Sequence, residues 1–335
     1  MRVGVIGAGA VGGALAALLD RAGHTVGVTA RGTQLEAIRA DGIQLSGAWG
    51  THTAHVAADP VLTRPPEVAI LATKAQDSSE ALRANLAVLG GIPLLVVQNG
   101  LDGIAAASTI APRSDVVGGL AMFASSFLSP GHIKVTTAAP LYLGGGQAEH
   151  GVPALFLAQL LGDVLPVTVL PNFLGAQWTK LVVNQINALP AITGLSVQEV
   201  AADLALLDIL TANMRETVLV GVRRGIKFED LQGLSDLRLR LFARMPARMA
   251  RSLPLRIVSR MGATPNPGST LQSIRRGQAT EIDFLAGAVV RAGATESVPT
   301  PVSEMMVQLV HEVEATGIFF APSEVVRRVR ETQSA

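Results

Sequence analysis

Three polar side chains recur along an otherwise apolar stretch. The segment QWTKLVVNQINAL runs from residue 177 to residue 189, and within it Lys180, Asn184 and Asn187 stand at i, i+4 and i+7. On a helix that spacing puts all three on one face. Leu181, Val182, Val183, Ile186 and Leu189 fill the other directions, so the pattern predicts a buried helix with a polar stripe. A buried ammonium and two buried amides need partners or a polar cleft. A positioned ammonium can stabilise developing negative charge and give up a proton. The amides stay neutral at every relevant pH and suit orientation of a substrate. A lone lysine is ordinarily a solvated surface group, but the apolar surroundings here argue against that. A second candidate region is GSTLQSIRRGQATEIDFLAGAVV at 268 to 290. The pattern predicts one helix beginning at Ser269 and another beginning at Glu281, after Gly277. Both residues have plain structural alternatives, Ser269 as a helix cap and Glu281 as a first-turn carboxylate on the helix dipole.

The other chemistry-bearing motif is GAGAVG at 7 to 12. It follows the apolar run RVGVI and precedes small and aliphatic residues at helical spacing, which predicts strand, tight turn and helix. Gly7 would permit the turn, Gly9 would let the backbone approach a pyrophosphate, and Gly12 would let helix and strand pack closely. With Ala8, Ala10 and Val11 they would present helix N-terminal N–H groups to the anion. A site that prefers NAD normally has Asp or Glu at the end of the second strand. Here Thr29, Ala30 and Arg31 stand there, and Arg31 could pair with a 2′-phosphate, which favours NADPH. A solvated loop arginine is the alternative.

The elements that must position these groups are legible as alternation. Apolar runs at Thr25–Thr29, Val68–Ala72 and Leu94–Val97 read as strands covered on both faces, with helical patterns near 34 to 40 and 78 to 89 between them. That implies βαβ units and a parallel sheet. The runs VVGGLAMFASS from 116, HIKVTT from 132 and PLYLGGG from 140 read as strands that extend or flank it. Beyond Pro171 helical periodicity dominates. The expected architecture is α/β: a Rossmann-type dinucleotide-binding domain over residues 1–170 and an all-helical domain carrying substrate and catalytic groups over 171–335.

Composition narrows the rest. The chain has 335 residues, is 49% hydrophobic and 16% charged, and carries a net charge of +1, so it should be globular, with no general reason to bind nucleic acid or a membrane surface. It has no cysteine, which excludes disulfides and thiolate chemistry and suits a reducing cytoplasm. Its six histidines form no metal-binding spacing, so no metal is expected. Gly90, Gly91, Pro93 and Gln98-Asn99-Gly100 interrupt the longest uncharged runs, and no membrane segment is expected. Met305, Met306, Leu309 and Val310 offer an apolar stretch for a homodimer, a role that core burial would explain equally well.

Taken in order, GAGAVG, Thr73-Lys74, Gln98-Asn99-Gly100, Pro130-Gly131, WTKLVVN at 178 to 184, and Ser269 through TEID at 280 to 283 resemble the ketopantoate reductase family (2-dehydropantoate 2-reductase) over nearly the whole length. The resemblance implies a cleft between domains, with Lys180 as general acid and Glu281 near it. It further implies that Asn99 and Asn184 bind substrate and cofactor, that Ser269 receives the substrate's carboxylate or hydroxyl, and that Lys74 lies close to the cofactor. The reaction so implied is NADPH-dependent reduction of a 2-oxo acid, with 2-dehydropantoate the leading substrate and pantoate the product.

Three features depart from the family. A second asparagine usually sits eight residues after the lysine, whereas Asn187 is seven after Lys180. Ser273 stands where the family often has an acidic residue. The stretch from Leu237 to Thr280 holds nine arginines and no Asp or Glu. Arg240, Arg244, Arg248 and Arg251 recur at helical spacing, which reads as an amphipathic surface helix with a basic face; the sharper reading is a segment that packs over the cleft or forms a subunit contact. These departures keep open a different 2-oxo acid or ketone as substrate. A non-catalytic NADP-binding regulator is the reading from another class, and it would bind NADPH without oxidising it.

Overall fold

RVGVI becomes β1 (Arg2–Ile6), a strand whose last four residues are buried, as a run covered by helices on both faces must be. In the computed structural model, which describes residues 1–145, 152–262 and 264–334, β1 lies inside the N-terminal of two units, Met1–Phe173 and Leu174–Ala335. The other strands of that unit are β2 (Thr25–Thr29), β3 (Ile43–Gly47), β4 (His52–Ala54), β5 (Ala57–Asp59), β6 (Val68–Leu71), β7 (Pro93–Val97), β8 (Asp115–Ala121), β9 (Ala124–Ser129), β10 (His132–Thr137), β11 (Leu141–Gly144) and β12 (Val167–Val169). Its helices are α1 (Ala10–Arg21), α2 (Gly32–Asp41), α3 (Ala75–Leu89), α4 (Gly103–Ile110) and α5 (Val152–Gly162).

The main sheet has the order β12-β11-β8-β7-β6-β1-β2-β5. From β5 through β8 every pairing is parallel; β11 then runs antiparallel to β8, and β12 parallel to β11. Chain order reverses between β1 and β6, and in open α/β sheets ligands bind at the carboxyl ends of strands flanking such a reversal. The loops that follow β1, β6 and β7 carry the glycine turn, Thr73-Lys74 and Gln98-Asn99.

The predicted 116–126 run is divided between two sheets. β8 and β11 extend the main sheet, while β9 and β10 join β3 and β4 in a second sheet of order β4-β3-β10-β9. The break falls at Met122-Phe123, where the buried Phe123 ring packs on Trp49 with centroids 4.9 Å apart. The run from 140 ends at Gly146, which lies outside the described residues. The short strands β3, β4 and β5 carried no sequence signal strong enough to predict them.

The C-terminal unit is helical: α6 (Phe173–Asn184), α7 (Ala188–Thr193), α8 (Val197–Ala202), α9 (Leu204–Arg223), α10 (Asp236–Arg244), α11 (Ala247–Ala250), α12 (Ser252–Ser259), α13 (Gly268–Arg275), α14 (Ala286–Glu296), α15 (Pro301–Thr316) and α16 (Pro322–Ser334). α9 packs against α8, α10, α14 and α15. Its start is fixed by Asp203, whose carboxylate accepts the N–H groups of Ala205 and Leu206. Inside the unit the buried Glu216 carboxylate accepts the N–H groups of Val302 at 2.8 Å and Ser303 at 2.7 Å, capping α15 from a neighbouring helix. Met306, Leu309 and Val310 are buried in this unit, so three of the four residues of that apolar stretch are core. No helix among the described residues is long and apolar enough to cross a membrane.

Two sequence expectations are corrected here. The helix expected over 177–189 ends at Asn184, and Gln185–Asn187 form a 3-10 turn before α7 begins. The basic stretch is three short helices, α10 to α12, in place of one. Pro246 explains the first interruption: it offers no N–H, and it biases Met245 to the extended φ −63°, ψ 149° that ends α10.

Candidate active site

The glycine turn is built as its spacing requires. Gly7 has φ +100°, and a Cβ there would meet Thr73 at 2.7 Å. Its N–H donates to Thr29 Oγ1 at 2.9 Å, and the Ala8 N–H donates to the Thr29 carbonyl at 2.9 Å, so the end of β2 holds the turn. A Cβ on Gly12 would lie 2.0 Å from the Gly7 carbonyl oxygen, whereas one on Gly9 would meet nothing within 4 Å. Gly12 is therefore required by helix–strand packing, and Gly9 faces open space. Ala10 and Val11 form the first turn of α1, which has no acidic residue and no side-chain cap.

Those features fit a pyrophosphate: backbone donors at a helix N-terminus, room above Gly9 and no competing carboxylate. Beside the turn, Thr73 Oγ1 and Gln98 Oε1 are buried and meet no hydrogen-bond partner among the described residues. Buried acceptors left without protein donors are the groups a bound ligand would satisfy. The Gln98 amide donates to the Thr73 carbonyl at 3.0 Å, which ties the loop after β7 to the loop after β6. Lys74 is the N-cap of α3, and Asn99 follows β7. Sequence reasoning gave Asn99 a role and named Thr73 and Gln98 only within the motifs of the resemblance, because their burial is created by the tertiary fold.

Sequence reasoning did not single out Gln34. Its amide donates to the Ala8 carbonyl at 2.8 Å, and its oxygen accepts the Gly131 N–H at 2.7 Å. The Pro130-Gly131 bend between β9 and β10 is thereby fixed to the glycine turn. At the end of β2, where Thr29, Ala30 and Arg31 supply no carboxylate, one comes from a distant part of the chain. Arg31, the N-cap of α2, is exposed and pairs with Glu80 of α3 at 2.9 Å. Glu80 lies 49 positions along the chain, out of reach of local sequence reading.

In the helical unit, Lys180 lies on α6 and Glu281 at the head of a 3-10 turn, Ile282–Phe284. α14 begins only at Ala286, so Glu281 precedes a 3-10 turn and not the expected helix. Lys180 exposes some surface, yet protein atoms crowd its ammonium densely. That desolvation lowers its pKa to about 8, and the nearby Glu281 carboxylate works in the opposite direction. The two predicted catalytic groups are thus brought into electrostatic contact.

Asn184 closes α6. Asn187 donates to the Asn184 carbonyl at 3.0 Å and accepts the Ser269 N–H at 3.1 Å, so both ends of its amide bond to main chain. Gly268, at φ +71°, leaves room for that oxygen: a Cβ there would sit 2.6 Å from Asn187 Oδ1. Ser269 is exposed as the second residue of α13, and its carbonyl accepts the buried Ser273 hydroxyl at 3.3 Å. Among the described residues no three His, Asp or Glu side chains are grouped to hold a metal ion.

A family model described as Ketopantoate reductase PanE/ApbA matches residues 3–147, and one described as Ketopantoate reductase PanE/ApbA C terminal matches residues 172–314. The chain is 25% identical to a 2-dehydropantoate 2-reductase of Pyrococcus horikoshii over 95% of this chain and 99% of that one. Among solved structures, a PanE/ApbA family ketopantoate reductase from Ralstonia eutropha JMP134 superposes with a TM-score of 0.79 at 27% identity, covering 94% of this chain and 99% of that one. A ternary structure of D-mandelate dehydrogenase with NADH and anilino(oxo)acetate shares the fold, with a TM-score of 0.81 at 19% identity over 94% and 99% of the two chains. A Rossmann-type domain with an open glycine turn, joined in sequence to a helical domain, and relatives named 2-dehydropantoate 2-reductase together define an oxidoreductase. The chain belongs to the ketopantoate reductase PanE/ApbA family.

Proposed function

We propose that this chain reduces a 2-oxo acid with NADPH, that the acid is 2-dehydropantoate, and that the product is pantoate. The observation that carries the proposal is Lys180, crowded by protein and facing Glu281, with a pKa of about 8. A lysine so placed is still largely protonated near neutrality and gives up its proton more readily than a solvated one.

The chemistry a bound reduced nicotinamide supplies is a hydride to the carbonyl carbon. Lys180 Nζ stabilises the negative charge that gathers on the carbonyl oxygen and delivers a proton to it, leaving an alcohol and a neutral amine. The amine regains a proton from solvent. Glu281 favours the charged form of Lys180 between turnovers. Gly7, Ala8, Gly9, Ala10, Val11 and Gly12 hold the pyrophosphate, with Lys74, Asn99 and the buried Thr73 and Gln98 oxygens as further polar contacts. Arg31 takes the 2′-phosphate, which requires it to exchange Glu80 for the phosphate. Asn184 and Ser269 bind the substrate. Asn187 acts with them through the Ser269 N–H, since its own amide is engaged with main chain.

A second reading, another 2-oxo acid on the same chemistry, is favoured by Ser273. It is buried at 6% exposure and bonded to the carbonyl of Ser269, the residue proposed to bind the substrate. Turnover of NADPH with 2-dehydropantoate and a panel of other 2-oxo acids, in wild type and Lys180→Ala, decides between them. Efficient use of 2-dehydropantoate that falls about 100- to 10,000-fold in the variant supports the first reading. Turnover of a different acid alone supports the second. NADPH binding without oxidation across the panel overturns both.

A further inference from the structure

The Glu281 carboxylate rides on a segment held at both ends by α15. The Thr280 N–H donates to Glu314 Oε1 at 2.7 Å. Glu314 Oε2 lies 2.7 Å from His311 Nδ1, and His311 Nε2 lies 3.0 Å from Asp283 Oδ1. These contacts close a ring: main chain from Thr280 through Glu281 to Asp283, then the Asp283 side chain, His311, Glu314 and back to the Thr280 N–H. From α14, Arg291 adds a bond to the Asp283 carbonyl at 2.8 Å.

A 3-10 turn of three residues has few hydrogen bonds of its own and takes its geometry from its anchors. Here the anchors are specific. Each imidazole nitrogen of His311 faces a carboxylate oxygen, and a neutral ring has only one N–H to offer. Only the imidazolium satisfies both. Burial opposes that charge, but the hydrogen bonds and charges of Asp283 and Glu314 outweigh it and hold the His311 pKa above its ordinary value. The groups facing the ring are Asp283 from the 3-10 turn and Glu314 from α15. Arg291 of α14 reaches the same turn, and the adjacent Glu312 is turned to Arg328 of α16 at 2.8 Å.

Glu281 influences Lys180 through space, so the size of that influence depends on where the turn holds the carboxylate. We propose that His311 is a positioning residue for Glu281, clamping the 280–283 segment so that its carboxylate keeps Lys180 charged. The consequence for turnover rests on the proposed role of Lys180; the clamp itself does not.

The test reads Lys180 directly. Competitive acetylation of the full-length protein by acetic anhydride, quantified by peptide mass spectrometry across a pH series, gives the midpoint of Lys180 ionisation. In His311→Leu that midpoint should fall by about half a unit to one unit. Glu281→Gln should lower it at least as far, and His311→Leu should add nothing in the Glu281→Gln background. A midpoint within about 0.2 units of wild type in folded His311→Leu, or full additivity in the double variant, overturns the proposal. If His311→Leu fails to fold, Asp283→Asn weakens the same link from its other end and is judged by the same criterion. An acetylation midpoint that shifts while the alkaline limb of turnover stays in place keeps the clamp and overturns Lys180 as the acid.

Discussion

Crowding draws the Lys180 pKa down to about 8 while Glu281 pulls it up, and both activity and stability follow from that balance. An acid must be protonated to act, so turnover should hold below about pH 8 and fall about tenfold per unit above it. In Glu281→Gln the upward pull is gone, and the alkaline limb should move to lower pH. The sign for stability is opposite. The folded pKa lies below the unfolded value of about 10.4, so between about pH 8 and 10.4 the unfolded chain binds more protons and stability rises with pH. Below about pH 8 the cost of the buried charge is present in full. Urea denaturation across that range should show the rise in wild type and its loss in Lys180→Gln. At the cofactor's ribose, Glu80→Gln should free Arg31 and tighten NADPH about two- to fivefold relative to NADH, because an exposed pair contributes at most about 1 kcal/mol. Arg31→Ala should do the reverse, and fluorescence titration with each dinucleotide measures both. The polar stripe was legible because a lysine among leucines and valines stands out. Thr73, Gln98 and Glu80 were not, because each acquires its meaning only from residues distant in sequence.

Among elements, the glycine turn separates packing from binding. Gly12→Ala would press a methyl against the Gly7 carbonyl at 2.0 Å, so the N-terminal unit should lose stability and dinucleotide affinity together. Gly9→Ala places its methyl in open space at φ −79°, so thermal stability should hold while dinucleotide affinity falls at least tenfold. Calorimetry and binding on the two variants check the contrast, and equal losses of stability would defeat it. The parallel strands and α1 were legible because buried apolar runs and small-residue helical spacing leave few alternatives. The 3-10 turn at Gln185–Asn187 was not, because periodicity over so short a span cannot distinguish 3.6 residues per turn from 3.0. That turn also bears on the seven-residue spacing. Four α-helical steps carry Asn184 about 40° past Lys180, and three tighter steps add about one full rotation, so Asn187 keeps nearly the direction of Asn184. Tighter winding thus keeps the seven-residue stripe on one side.

Across the molecule, a net charge of +1 conceals an uneven distribution, with the arginines concentrated between Leu237 and Thr280. Several of them are structural. Arg251 forms a two-pronged pair with Asp208, Arg240 pairs with Asp236, and Arg238 and Arg260 donate to main-chain carbonyls. The segment also buries Leu239, Phe242, Ala243 and Ala250, so deleting residues 238–256 should leave a chain that does not fold. Reversing the exposed Arg244, Arg248 and Arg256 to Glu is the informative change. It should leave the unfolding midpoint nearly unchanged. A raised KM for the acid at unchanged NADPH affinity would mark the segment as a substrate contact, and sedimentation would reveal a subunit contact. Sequence showed the charge but not which guanidiniums were already engaged.

The Gln34 bridge carries a consequence in time. The glycine turn is synthesised before most of its own unit, yet its Ala8 carbonyl is anchored through Gln34 to the N–H of Gly131, which is made 97 positions after Gln34. Gly7 likewise waits for Thr73 to pack against it. A nascent chain not yet extended to Gly131 therefore has every glycine of the turn but not its full support. The capacity to grip a dinucleotide should emerge late in synthesis, after the second sheet has closed, although the glycines proposed to hold it are made earlier.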